Sequence, residues 1–362
     1  MRPHAFEQSS ATTVTLRGNQ LLAFAGTNYL GLAHHPAVLS AAAGALRDHG
    51  LSPTAARHTS GGCVWHDRLE EALAEFLQVE SALLLSSGWL ANLALGQALR
   101  GRAGAMLLDA DAHASLVAAA ASSGAPNHDY GPGDLNRANA LLDRYRGTEP
   151  CLLTDGVYPQ VGRMAPLAEL LRMLPKDGLL VIDDSHGLGV TGPGGRGTAA
   201  AFDLEDTRIL QVSSLAKSLG SMGGFVSGAA DRVEAVRRRA EAASSSTPLA
   251  PSAAAGAFAA LEILQSEPVR LELLHKNTRA LHRIAERLDR PHPGSFLPVI
   301  TIRIEDESQG RSLAAAILSH GLFVPWMRYP GTDGGYLRVA VNAEHTEAEI
   351  TRLGAVLAEL LP

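Results

Sequence analysis

Lys217 stands in the stretch ILQVSSLAKSLGSMGG among serines, alanines and glycines, with no carboxylate between Asp206 and Asp231 to pair with it. Of the chain's 31 basic residues only three are lysines, Lys176, Lys217 and Lys276. A codon bias toward arginine accounts for the scarcity, and a surviving lysine then marks a place that uses an amine able to lose its proton. Lys176 in LPKDG and Lys276 in LLHKN have polar neighbours of surface type, whereas Lys217 does not. An amine in such a setting suits covalent chemistry at a carbonyl carbon.

Other reactive groups follow short apolar runs. Ser87, Gly88 and Trp89 come after SALLLSS, Asp109 and His113 after AMLLDA, and Asp155 and Tyr158 after PCLLTDG. Asp183, Asp184 and His186 end GLLVIDDSH, and Ser213 and Ser214 precede Lys217. Each alone has an ordinary reading: SSGWLAN as a capped helix start, His113 as a loop histidine, Asp183 as a turn cap. A carboxylate ending a wholly apolar run, however, calls for a cationic or protonated partner, and a helix start is a natural phosphate site. These demands converge on a phosphorylated aromatic heterocycle carrying an aldehyde. The amine would bind the aldehyde, the carboxylate would keep a pyridine nitrogen protonated, and the helix start with hydroxyls would take the phosphate. Pyridoxal phosphate has all three parts.

Two other motifs carry weaker claims. GLGVTG (Gly187 to Gly192) and GPGGRG (Gly192 to Gly197) both match GxGxxG, but glycine and proline follow instead of the apolar helix that a dinucleotide site requires. SLAK, Ser214 to Lys217, matches the SxxK of serine acylases, yet its companions KTG and SDN do not occur.

The apolar runs predict the elements that position these groups. Strands buried on both faces read as unbroken apolar stretches, and helical segments such as WLANLALGQAL and APLAELLRML alternate with them. That pattern implies an α/β fold of three layers around a mainly parallel sheet, with ligands at the carboxyl ends of the strands. From about residue 253 it gives way to two long helical segments and then a smaller α+β unit. The expected division is an N-terminal segment over 1–31, a large cofactor-binding domain over 32–252 and a small C-terminal domain over 253–362.

Composition narrows the partners. Hydrophobic residues make up 46% of 362, enough for a large core, and acidic residues exceed basic ones by 37 to 31, for a formal charge of -6. Nucleic acid is therefore not an expected partner. No metal-ligand spacing stands out, and Cys63 and Cys151 lie in dissimilar contexts, as in a reducing, cytoplasmic setting. The stretch MRPHAFEQSS lacks an apolar signal core, and no apolar run is long enough to span a membrane, so a soluble protein is expected.

NYLGL (Asn28 to Leu32), HDRLE (His66 to Glu70), SSGWLAN, DADAHASL, VIDDSHGLGVTGPGGRGT and SSLAKSLGSMGG occur in that order. From about residue 20 onward the chain resembles the α-oxoamine synthases, fold type I pyridoxal phosphate enzymes that join an amino acid to an acyl-CoA with loss of CO2. The resemblance implies roles at the matching positions. Lys217 would form the imine, Asp183 would face the pyridine nitrogen, His113 would stack over the ring, and His186 would donate to the phenolic oxygen. Ser87, Gly88, Trp89 and Ser214 would surround the phosphate, with Trp89 where the family has phenylalanine or tyrosine. Thr247 would reach the neighbouring subunit's phosphate in a homodimer. Asn28 and Arg338 would hold the substrate carboxylate.

Departures fall on the acyl side. YPQVGR, Tyr158 to Arg163, stands where the family reads FSMDGD and puts Pro159, with neither hydroxyl nor N–H, in place of a serine. LSPTAAR, Leu51 to Arg57, replaces a glycine-rich loop. The leading expectation is condensation of L-alanine with a pimeloyl thioester. Its alternatives are glycine or serine as the amino acid, an aminotransferase or lyase on the same scaffold, and a protein that binds the cofactor without turnover.

Overall fold

The apolar runs form a seven-stranded sheet. The computed structural model describes residues 5–294, 296–328 and 334–361. Across the sheet the strands run in the order Ser81–Leu85, Gly224–Gly228, Ile209–Ser214, Leu179–Asp183, Cys151–Asp155, Met106–Leu108 and Asn127–Asp129. Gly224–Gly228 is antiparallel to both neighbours, and the other pairs are parallel. This is the expected α/β class with a mainly parallel central sheet. Leu179–Asp183 and Cys151–Asp155 are buried at every position, as strands covered on both faces must be.

Register decides which residues meet at the sheet's carboxyl edge. Asp155 pairs with Asp183, and Asp183 with Val212. Ser214 pairs with Gly224, which pairs in turn with Leu85. A one-residue slip in any of these ladders would turn a site residue to the other face.

Contacts divide the chain into two compact units. One comprises residues 35–158 and 164–266, and the other 1–34, 159–163 and 267–362. The first holds the seven-stranded sheet and also the helix Pro251–Ser266, a segment expected in the smaller domain from 253 onward. That helix buries Ala254, Ala255 and Gly256, and Gly256 faces Val38 and Ala42 of the helix Pro36–His49. The N-terminal segment joins the second unit because Leu22 of Asn19–Ala23 pairs with Leu322 of Leu322–Phe323, a parallel pairing closed over a long stretch of chain. Beside it Val299–Ile304, Gly335–Ala340 and Trp326–Met327 make a three-stranded sheet under the helices Pro268–Arg287, Glu307–Ser319 and Glu347–Leu360. Among the described residues, no helix is long and apolar enough to cross a membrane.

Candidate active site

Asp183 ends its strand 6% exposed, and both its oxygens accept hydrogen bonds. The Asn92 amide donates to Oδ2 at 2.6 Å and the Ser185 N–H to Oδ1 at 3.1 Å. His186 follows three residues on, half-buried at the start of the glycine-rich loop.

His113 precedes the helix Ala114–Ser123, and its ring caps that helix by accepting the Ser115 N–H at Nδ1. Its own N–H donates to Asp155 Oδ2 at 2.7 Å. Burial of part of the ring lowers its pKa, with Lys217 adding to the lowering and Asp183 opposing it. Asp155 responds in the other direction: burial and the Asp183 charge raise its pKa well above the usual range, while the His113 N–H and Lys217 pull against them.

Lys217 lies in the turn after Ile209–Ser214, half-buried. That turn is tied from several sides. Leu215 N–H donates to Gly223 O and Ser221 N–H to Leu215 O, each at 3.0 Å. Ala216 N–H donates to Ser214 Oγ at 3.1 Å, and Ser218 Oγ to Leu188 O at 2.6 Å. Lys217 follows the strand whose Val212 pairs with Asp183, itself paired with Asp155, and its charge acts on His113, Asp155 and Asp184.

The helix Gly88–Ala98 starts beside this turn. Ser87 caps it by accepting the Leu90 N–H at 3.1 Å, and the next N–H groups, of Gly88 and Trp89, are first-turn donors with no acceptor within the helix. Gly88 lies so near Ser214 that an added Cβ would come within 3.1 Å of the serine Cβ. Ser87, Gly88 and Ser214 thus form one cup. The Trp89 side chain leaves it, 49% exposed, with its ring edge-on to His113 at 6.1 Å.

Thr247 is exposed in the loop before Pro251–Ser266. Asn28 and Arg338 belong to the other unit. Arg338 is buried on Gly335–Ala340 and donates to Gly26 O at 3.0 Å and toward the Tyr29 hydroxyl at 3.5 Å; Asn28 Oδ1 accepts the Ala33 N–H at 3.2 Å.

Two groups at the sheet edge, Asn92 and Ser115, were not among the expected site residues, and Asp155, noted after its apolar run, was given no role. The signal was present in each case. Asn92 and Ser115 are polar residues inside apolar helices, and Asp155 ends an apolar strand as Asp183 does. Buried polar groups of this kind need partners. Among the described residues, no group of three or more His, Cys, Asp or Glu side chains could hold a metal.

The donor set fits pyridoxal phosphate: an amine among carboxylates, a buried acceptor carboxylate, and a helix start narrowed by Gly88 against Ser214. The family described as aminotransferase class I and II matches residues 19–357. A putative 8-amino-7-oxononanoate synthase from Desulforudis audaxviator is 35% identical over 97% of this chain and 91% of that protein. A serine palmitoyltransferase from Bacteriovorax stolpii is 32% identical over 98% and 86%. Among solved structures, a serine palmitoyltransferase from S. paucimobilis with bound PLP–myriocin aldimine superposes with a TM-score of 0.92 at 28% identity, over 99% of this chain and 93% of that one. The chain therefore belongs to the aminotransferase class I and II family and, within it, to the α-oxoamine synthases, pyridoxal-phosphate-dependent enzymes of acyl transfer.

Proposed function

We propose that the chain condenses a small amino acid, L-alanine by preference, with an acyl thioester, pimeloyl-CoA by preference, losing CO2 to give an α-amino ketone. That is the reaction of an 8-amino-7-oxononanoate synthase and a step of biotin biosynthesis. The observation that supports the reading is the strand register, which sets Asp155 beside Asp183 and Asp183 beside Val212 on the strand leading into Lys217, with Ser214 of that strand against the Ser87–Gly88 helix start.

Pyridoxal phosphate, when bound, supplies an aldehyde for the amine and a ring that withdraws electrons from the neighbouring carbon. In this assignment Lys217 Nζ would bind the aldehyde and would be the base for the amino acid's α-proton. Asp183 would keep the ring nitrogen protonated, His113 would cover the ring face and His186 would donate to the phenolic oxygen. The N–H groups of Gly88 and Trp89 and the hydroxyls of Ser87 and Ser214 receive the phosphate. Thr247 is assigned to the phosphate of the neighbouring subunit, which makes the working enzyme a homodimer, and Arg338 and Asn28 to the substrate carboxylate. The two free cysteines fit a reducing, cytoplasmic setting.

A second reading takes L-serine and a longer acyl thioester, and the relatives named serine palmitoyltransferase favour it. The visible absorption spectrum decides. With pyridoxal phosphate added, the native protein is expected to show a band that Lys217→Ala lacks. That band should shift with L-alanine, and CO2 and an amino ketone should appear only once pimeloyl-CoA follows. A response confined to L-serine and palmitoyl-CoA selects the second reading. Keto acid formed from the amino acid alone overturns both in favour of an aminotransferase.

A further inference from the structure

Asn92 is fully buried on the helix Gly88–Ala98, and both hydrogens of its amide nitrogen are committed. One goes to Asp183 Oδ2 at 2.6 Å, the other to Ser115 Oγ at 2.9 Å. The amide cannot be turned over, because its oxygen would then face a carboxylate oxygen at that separation. Ser115 Oγ accepts from Asn92, so its single proton goes to its remaining contact, His113 Nδ1 at 2.7 Å. The Ser115 N–H points at the same nitrogen from 3.3 Å. Nδ1 is thus an acceptor, and the proton of the neutral ring sits on Nε2.

We infer that Asn92 and Ser115 are positioning residues that join Asp183 to His113 through one directed hydrogen-bond relay, orienting the carboxylate and fixing the histidine as its Nε2–H tautomer. The inference rests on the reading in which Asp183 and His113 flank the cofactor ring, and it adds what holds them. Asn92 Oδ1 is buried with no hydrogen-bond partner. A leucine of similar size would spare the core that orphan acceptor, so the amide's contribution lies in its two donors. The His113 backbone is tethered separately through its N–H to Asp155, on the strand in register with Asp183. Protonating the ring would set an Nδ1–H against the Ser115 N–H and force the serine hydroxyl to turn away. The charges acting on the ring are those of Asp183 and Lys217, which oppose each other.

The test uses the full chain free of cofactor, labelled with 15N-histidine, with the His113 resonances identified by their loss in His113→Gln. Long-range proton–nitrogen correlation at pH 7.5 is expected to show an unprotonated Nδ1 and a protonated Nε2. Ser115→Ala and Asn92→Leu should each let the Nδ1–H form appear, and Ser115→Thr should restore the native pattern. In the protein loaded with pyridoxal phosphate, the same two variants should shift the pH midpoint of the visible band by at least half a unit, with Ser115→Thr again like native. A native Nδ1–H, or a pattern untouched in Ser115→Ala, overturns the relay. Should Asn92→Leu fail to fold, Ser115→Ala and Ser115→Thr carry the test. A native protein that forms no visible band defeats the cofactor reading alone, because the tautomer is measured without it.

Discussion

Asp184 follows Asp183 directly, yet the extended backbone sends it to different partners. Its carboxylate accepts the Thr198 N–H at 2.7 Å and the Thr198 hydroxyl at 2.8 Å, and Gly187 and Gly197 pack so closely that a Cβ on either would fall on its oxygens. The glycines that mimic a dinucleotide motif therefore make room for a buried acid. Burial raises the Asp184 pKa to about 7, with the Thr198 bonds and Lys217 acting the other way. A carboxyl group whose folded pKa is raised binds more protons when folded, so stability from this group is greatest below pH 4 and falls as pH rises toward 7. Asp184→Asn keeps the shape and removes the charge. Its denaturation midpoint should approach or exceed that of native protein as pH rises from 5 to 8, a relative gain on the order of 1 to 3 kcal/mol; parallel pH profiles would refute the assignment. At this scale the sequence reveals a charge set among uncharged neighbours at Lys217 and one ending an apolar run at Asp183, whereas His113 stands out only through the family resemblance. It hides Asn92, whose partner Asp183 lies 91 positions away and whose helix reads as ordinary apolar packing.

Segments are held by motif residues that face no substrate. In the helix Val64–Leu77, His66 accepts the Cys63 N–H at Nδ1, so its Nε2–H donates to Leu249 O at 2.6 Å and pins the loop that carries Thr247. Glu70 of the same helix accepts from Arg57, from Arg237 at 3.3 Å and from the Leu84 N–H at 2.7 Å, tying the Leu51–Arg57 stretch to the Ser81–Leu85 strand. His66→Ala leaves the buried Leu249 carbonyl without its donor, a loss of about 1 to 3 kcal/mol. Chemical denaturation should register that loss, and amide exchange should quicken across residues 245–250 while the sheet stays protected; unchanged exchange there would remove the histidine from this role. The strands themselves are legible as apolar runs, with two limits. Asn127–Asp129 is polar and gives no run, and nothing in GFVSG distinguishes an antiparallel strand from its parallel neighbours, since both alternate side chains with period two.

At the scale of the molecule, composition and the order of elements give the α/β class, but long-range pairing sets the units. No local pattern announces that Leu22 will pair with Leu322, or that Pro251–Ser266 and Pro268–Arg287, separated by one residue, fall in different units. Assembly is a further step. Thr247 is exposed in this chain, and its assigned role requires a second copy. Sedimentation of the native protein should then give twice 38.0 kDa. If Thr247 serves as assigned, Thr247→Ala removes one hydrogen bond to a charged phosphate, worth about 1.5 to 3 kcal/mol, so pyridoxal phosphate should bind roughly ten- to a hundredfold more weakly with the mass unchanged. Mixing unfolded Thr247→Ala and Lys217→Ala chains and refolding them separates a role across subunits from one within a subunit. In a mixed dimer, the site built on the Thr247→Ala chain has its own Lys217 and receives Thr247 from the other copy. Tight binding should therefore return in the mixture, at one site per mixed dimer, although neither variant alone forms a visible band with native affinity. If binding in the mixture is only the average of the two variants, Thr247 serves its own subunit or none, and the case for an obligate dimer loses its chemical ground.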